Sequence, residues 1–215
     1  MREHIGEHRR RIGQRPIADP KGKKMLILAS ASPRRRELLE RNGVQVCVEP
    51  ADIDEHHADG ELPQDYVHRM AVSKCRHIAR KHRGEHVHVL GADTIVVLGR
   101  EILGKPTDEA MAMAMLRSLS GREHEVMTAV CLINALDGAE ESFVCKTIVQ
   151  FDEISDQRLS RYVASGEPMD KAGAYGIQGG AEGFVKRIDG SYTNVVGLPL
   201  CETLGVLEKW GDFLK

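Results

Sequence analysis

The chain has 215 residues, 41% of them hydrophobic and 29% charged, with a formal net charge of -2, the make-up of an ordinary soluble globular protein with room for one domain or two small lobes. Residues 1–24 hold eight Lys or Arg against three acids, which leaves 22 basic and 29 acidic residues beyond them; an acidic body argues against general nucleic-acid binding, because that affinity rests on neutralising phosphates. Five widely spread cysteines without a CxxC pair suggest neither a disulfide framework nor a zinc finger and fit a reducing cytoplasm, while no apolar run approaches a membrane span or a signal peptide.

Residues 1–24 are polar, basic and without apolar periodicity, and they read as a flexible extension. The domain, 25–215, opens with an apolar strand at 26–29 that breaks into Ser30-Ala31-Ser32-Pro33-Arg34-Arg35-Arg36 and then becomes a helix. Ser32 is placed as N-cap, Pro33 suits the first turn, Leu38 and Leu39 supply an apolar face, and Gly43 stops the helix. Free N–H groups, hydroxyls and guanidinium groups at such a start suit a polyphosphate. Taken alone, the stretch reads equally as a capped surface helix with a solvated arginine run.

Residues 44–48 read as a second strand running into the acidic loop Asp52, Asp54, Glu55, His56, His57, which suits a divalent cation or simply water. Helical periodicity over 64–82 puts Val67, Met70, Ala71 and Ile78 on one face with Lys74 among them, so that Lys74 must snorkel out or meet a buried anion. Residues 87–98 form an almost wholly apolar, β-branched run, the pattern of a strand covered on both faces. Asp93 in its middle needs a cation or metal, since an uncompensated buried carboxylate costs several kcal/mol or so. That makes it a candidate functional acid.

Gly99 to Pro106 nearly spells a phosphate-binding Walker loop, but Pro106 replaces its Ser or Thr and the segment looks like a hairpin. Lys105 is kept as a cation placed to approach phosphate. Thr107 is expected to cap a helix ending near Ser120-Gly121, with Met111, Met113 and Met115 as core filling. Segments 123–135 and 141–151 suggest a hairpin, and Ser155 opens a short helix. The glycine-rich run Asp170-Lys171-Ala172-Gly173-Ala174-Tyr175-Gly176-Ile177-Gln178-Gly179-Gly180 is no dinucleotide fingerprint but permits close backbone approach, and the amide of Gln178 could read a base edge. Residues 184–188 and 191–196 look like short strands, and 198–209 a closing helix; His56, His57, His86 and His88 read as surface residues.

In order and spacing, Ser30-Ala31-Ser32-Pro33-Arg34-Arg35, Asp54-Glu55, Gly91-Ala92-Asp93-Thr94, Gly104-Lys105-Pro106, Ser120-Gly121, the run 170–179 and Gly190-Ser191-Tyr192 through Gly197-Leu198-Pro199 resemble the Maf family of nucleoside triphosphate pyrophosphatases. The resemblance covers the chain from about residue 25 onward. It implies an α/β fold of the elongated Maf/ITPase-like kind, with a central mixed sheet, two lobes and a cleft between them, in a homodimer. It also implies cleavage of the α–β phosphoanhydride of a nucleoside triphosphate with the help of a divalent cation, Mg²⁺ or Mn²⁺. Carried over by position, Asp93 matches the catalytic acid or base, Glu55 the metal-associated carboxylate, and Ser30, Ser32, Arg34, Arg35, Lys74 and Lys105 the phosphate cleft. At the places that separate the dTTP/UTP branch from the 7-methyl-GTP branch, Arg34, Thr94 and Gln178 side with the former, and Arg35 is a further candidate for specificity. The resemblance leaves two alternatives, a 7-methyl-GTP pyrophosphatase and a nucleotide-binding regulator of septum formation.

Overall fold

The apolar run at the start of the domain becomes β1 (Met25–Leu28), with Leu26, Ile27 and Leu28 at most 1% exposed. A computed structural model describes residues 24–211 and 213; the extension expected over 1–24 lies outside them apart from Lys24, whose ammonium donates to the Trp210 carbonyl. From β1 the chain passes through α1 (Pro33–Arg41) to the edge strand β2 (Val46–Val48), then through α2 (Pro63–Lys81) to β3 (Val87–Leu98) on the other side of β1. β2 and β3 both pair parallel with β1. A short hairpin to β4 (Glu101–Leu103) follows, as the glycine at 99 requires, its φ being +65°.

Beyond α3 (Glu109–Leu119), the strands β5 (Glu123–Asn134) and β6 (Glu140–Phe151) extend the sheet, β5 antiparallel to β3 and β6 antiparallel to β5, with Asp93 opposite Ala129 and Thr94 opposite Thr128. After α4 (Asp156–Val163) and three short 3₁₀ turns, β7 (Val185–Asp189) closes the other edge; α5 (Tyr192–Val196) and α6 (Leu200–Trp210) finish the described chain. The result is the expected mixed α/β sheet, seven strands in the order β2-β1-β3-β5-β6-β7 with β4 on β3. No helix of the described residues is long and apolar enough to cross a membrane.

Period-two alternation along β3 divides the core. Gly91, Asp93, Ile95 and Val97 lie on the face covered by α2, where Val67, Ala71, Ile95, Val97, Met127 and Ala129 pack together. On the opposite face Leu90 and Ala92 join a cluster with Leu39 of α1 and Leu207 of α6. Val96 joins a second cluster with Leu116 of α3 and Leu159 of α4. Thr94 falls between these two clusters, and the cleft opens there.

Four local expectations are corrected. Residues 192–196 are helical: Ser191 accepts a hydrogen bond from Asn194 N (3.2 Å), and buried Asn194 donates to Val126 O and Thr147 Oγ1, which outweighs the β preference of the valines. Asp108, not Thr107, caps α3, its carboxylate accepting from Met111 N at 2.7 Å. Met111 is exposed while Met115 is buried. His88 is buried against Trp210 and Phe213, and burial, helped by the Lys24 charge, lowers its pKa to about 4. Ser32 and Ser155 stand at their expected N-cap positions but make no side-chain capping bond.

Candidate active site

One wall of the cleft starts from an absent side chain. A Cβ on Gly91 would lie 2.6 Å from the Ala71 carbonyl and 2.7 Å from Cys75 Cβ, so only glycine lets α2 press this closely on β3. One step along the same face of β3, Asp93 then meets the next residue of the α2 stripe. Lys74 Nζ donates to Asp93 Oδ1 at 2.6 Å, and both side chains are only about one-eighth exposed. The lysine does not snorkel; it has met its anion.

It has met two. Glu55 Oε1 lies 2.7 Å from the same ammonium. The loop carrying Glu55 has no regular structure, and side chains of α2 fasten it: Tyr66 OH donates to the Glu55 carbonyl (2.9 Å), and Arg69 donates to the His56 carbonyl (2.9 Å) and to both carboxylate oxygens of Glu61. Those hydrogen bonds hold the Glu61 carboxyl down at about 2. A continuous helix thus fixes both Lys74 and the loop that faces it.

A second set of contacts joins the loop after β1 to the far face of β3. Buried Arg35 donates from Nε to Gly197 O (2.8 Å), from Nη1 to Ser30 Oγ and Ala92 O (both 2.9 Å), and from Nη2 to Thr94 Oγ1 (2.9 Å). Four of its five N–H groups are therefore used inside the protein. Burial lowers its pKa, opposed by the nearby Asp93 charge. Thr94 Oγ1 also pairs with Thr128 Oγ1 at 2.9 Å, and Ser30 Oγ accepts from Ser32 N. Arg35, Thr94 and Ser30 form one clamp between α1, β3, β5 and the turn after α5. Arg34, by contrast, is part-exposed and lies 4.0 Å from Asp170 on the opposite wall.

That opposite wall is built of turns. Gly173 and Ala174 both have positive φ, +66° and +59°, and a Cβ on Gly173 would lie 2.9 Å from Val96. Gly173 N donates to Gly104 O at 3.0 Å, which brings the Lys105 turn beside the glycine-rich run. Lys171, with its side chain 13% exposed, donates to the Glu167 carbonyl (2.7 Å) and to Asp170 (2.6 Å). Tyr175 is anchored by a 2.8 Å hydrogen bond to buried His124. Burial pushes the Tyr175 phenol up and His124 down to about 4, so both are neutral partners at ordinary pH. Gln178 stands exposed at the tip.

The two walls enclose a cavity of about 820 Å³, lined by all ten residues expected from the sequence: Ser30, Ser32, Arg34, Arg35, Glu55, Lys74, Asp93, Thr94, Lys105 and Gln178. It opens at the carboxyl ends of β1 and its parallel neighbours, between helices that cover opposite faces of the sheet, where open α/β sheets hold ligands. Lys171 and Glu167 also line it, and sequence reading assigned neither a role. Nor did it find Tyr66, Arg69, Tyr162 or His124, whose partners lie outside the element that carries each of them.

Among the described residues no group of three His, Cys, Asp or Glu is placed to hold a metal ion. The pair Glu55 and Asp93, held at one ammonium, is nonetheless a donor set that fits a hard divalent cation of the Mg²⁺ type, which binds through one or two carboxylates and completes its shell with water and substrate phosphates.

A family model described as Maf-like protein matches residues 25–210. A dTTP/UTP pyrophosphatase from Hahella chejuensis is 50% identical over 194 residues, covering 88% of this chain and 94% of that protein. Another, from Geobacter sulfurreducens, is 51% identical over 189 residues, covering 86% and 96%. A HAM1 protein structure from Coxiella burnetii aligns with a TM-score of 0.45 at 16% identity, over 86% of this chain and 99% of that one. By its matched model and by relatives identical at half their positions, the chain belongs to the Maf-like family.

Proposed function

We propose that this protein hydrolyses the α–β phosphoanhydride of dTTP and UTP, giving the nucleoside monophosphate and pyrophosphate. The observation that carries the reading is the pair of carboxylates, Glu55 and Asp93, gathered on Lys74 in a cavity whose other cations are arginines and lysines. A triphosphate brings about four negative charges, which repel an incoming water until they are neutralised. Relatives of the same family at about half identity carry the name dTTP/UTP pyrophosphatase.

In this reading Asp93 orients the attacking water and takes its proton. The O–P bond formed is to the α-phosphorus; the bond broken is that from the α-phosphorus to the oxygen bridging to the β-phosphorus, and the electron pair leaves on pyrophosphate. Lys74, donating to Asp93 Oδ1, holds that carboxylate aimed. Arg34 and Lys105, one on each wall, receive the phosphates, with Ser32 and the free N–H groups at the start of α1. Arg35 and Thr94 shape the Ser30 loop, and one N–H of Arg35 stays available to substrate. Gln178 offers a donor and an acceptor to the uracil or thymine edge, so a base with the reverse pattern leaves unpaired the polar groups that it covers. Glu55 and Asp93 would hold the divalent cation, Mg²⁺ or Mn²⁺, which supplies Lewis-acid stabilisation of phosphoryl charge.

The test is a panel of dTTP, UTP and 7-methyl-GTP with Mg²⁺, with Mn²⁺ and without metal, pyrophosphate and orthophosphate being measured separately. Cation-dependent release of pyrophosphate from dTTP and UTP is expected. Orthophosphate alone would sink the assigned bond, and faster cleavage of 7-methyl-GTP would move the chain to the other branch.

A further inference from the structure

Gln178 sits on a segment with no helix or strand to hold it, yet a base reader must stay within a few tenths of an ångström of its productive place. The N–H groups two residues to either side of it end on one linked pair of side chains. Gly176 N donates to the Tyr162 hydroxyl at 3.0 Å, that hydroxyl donates to Glu167 Oε1 at 3.1 Å, and Gly180 N donates to Glu167 Oε2 at 3.0 Å. Both carboxylate oxygens are thereby occupied, and among the described residues no Lys or Arg pairs with them. The glycines make this possible: a Cβ on Gly179 would overlap the Glu167 carboxylate, and one on Gly180 would lie 2.9 Å from the Tyr162 ring. That ring is itself buried in the core, edge-on to Phe184 at 5.3 Å.

From this geometry we infer that Glu167 is a positioning residue for base selectivity: its carboxylate, with the Tyr162 hydroxyl, fixes the 176–180 segment and so the Gln178 amide against the nucleobase. The inference rests on the reading of Gln178 given above. A carboxylate suits the task where an amide does not. Glutamine would turn its NH₂ either toward the Gly180 N–H, donor against donor, or toward the Tyr162 hydroxyl, whose own proton would then lose its acceptor.

The experiment compares kcat/KM for dTTP with that for dCTP, a pyrimidine of the same size with the reverse donor and acceptor pattern, in the wild type, E167A, Q178A and the double variant. E167A is expected to cut the dTTP-to-dCTP ratio about tenfold, roughly one hydrogen bond of discrimination, with a larger change in KM than in kcat. The double variant should be no less selective than Q178A alone, because Glu167 acts through Gln178. If Q178A lowers the ratio and E167A does not, the role of Glu167 is overturned while the base-reading assignment stands. If Q178A leaves the ratio unchanged, that assignment falls and this inference with it. Should E167A not fold, as judged by circular dichroism, E167Q keeps the shape with one acceptor fewer and carries the same comparison.

Discussion

Lys74 and Asp93 ride on α2 and β3, elements whose backbone groups satisfy one another, whereas Lys171, Tyr175 and Gln178 ride on turns whose backbone N–H groups end on the side chains of Tyr162 and Glu167. The carboxylate wall is stiff because helix and strand are stiff and because Gly91 lets them touch. The glycine wall is as ordered as a few individual polar groups make it. In this cleft the groups assigned to bond cleavage, Asp93, Glu55 and Lys74, sit on the first wall and the amide assigned to the base, Gln178, on the second. The arrangement allows chemistry to stay fixed while selectivity is adjusted by residues that never touch the reacting phosphorus.

The deepest break in this comparison is D93N. Asparagine still accepts from Lys74, so the wall keeps its shape, but it cannot take a proton from water. We expect kcat for dTTP to fall by about 10²- to 10⁴-fold, the usual contribution of a general base, with the thermal midpoint nearly unmoved. Single-turnover rates and a melting curve check both halves. A loss below tenfold would remove Asp93 from the role of base.

The glycine wall is tested through its other fastening, His124 to Tyr175. Burial holds the His124 pKa at about 4, below the usual 6.5, so the folded state favours the neutral ring. The unfolded chain binds that proton first as pH falls; stability is therefore fully present above pH 6.5 and is lost progressively down to about pH 4. The loss from His124 is on the order of 3 kcal/mol. His88, also lowered to about 4, adds to the same acid limb. H124Q should make that limb shallower by the His124 share without removing it, which urea midpoints at pH 7 and pH 4.5 would show. An unchanged pH dependence would mean that the ring takes up its proton without cost in the folded protein.

How much of this was legible in the sequence follows from the same contrast. Asp93 stood out because a carboxylate inside a β-branched run has no place to go, and Lys74 because it interrupts a helical stripe; each is a violation of a pattern, and patterns are local. Their meeting was not legible, since it depends on the spacing that Gly91 permits between two elements. Arg35 read as a phosphate cation, and only the structure shows most of its N–H groups spent on Ser30, Ala92, Thr94 and Gly197. Asn194 drew residues 192–196 into a helix through bonds to β5 and β6 that lie 68 and 47 residues away in sequence. Tyr162, Glu167 and His124 break no local pattern at all. The turns they hold could be recognised by their glycines, but the hands that hold them could not.

The mildest perturbation acts on the carboxylate wall alone. In G91A the new methyl meets the Ala71 carbonyl, backbone that cannot turn aside, and the helix must move outward from β3. Overpacking of this kind costs about 2 kcal/mol, which for a chain of this size lowers the thermal midpoint by roughly 4–8 °C. Lys74 moves with the helix and loosens its grip on Asp93, so kcat for dTTP should drop by about tenfold, less than in D93N. The ratio of dTTP to dCTP turnover should stay where it is, because the bonds from Gly176 and Gly180 to Tyr162 and Glu167 do not involve α2. A change in that ratio equal to the change in kcat would show that the walls move as one body, and the division between them would be lost.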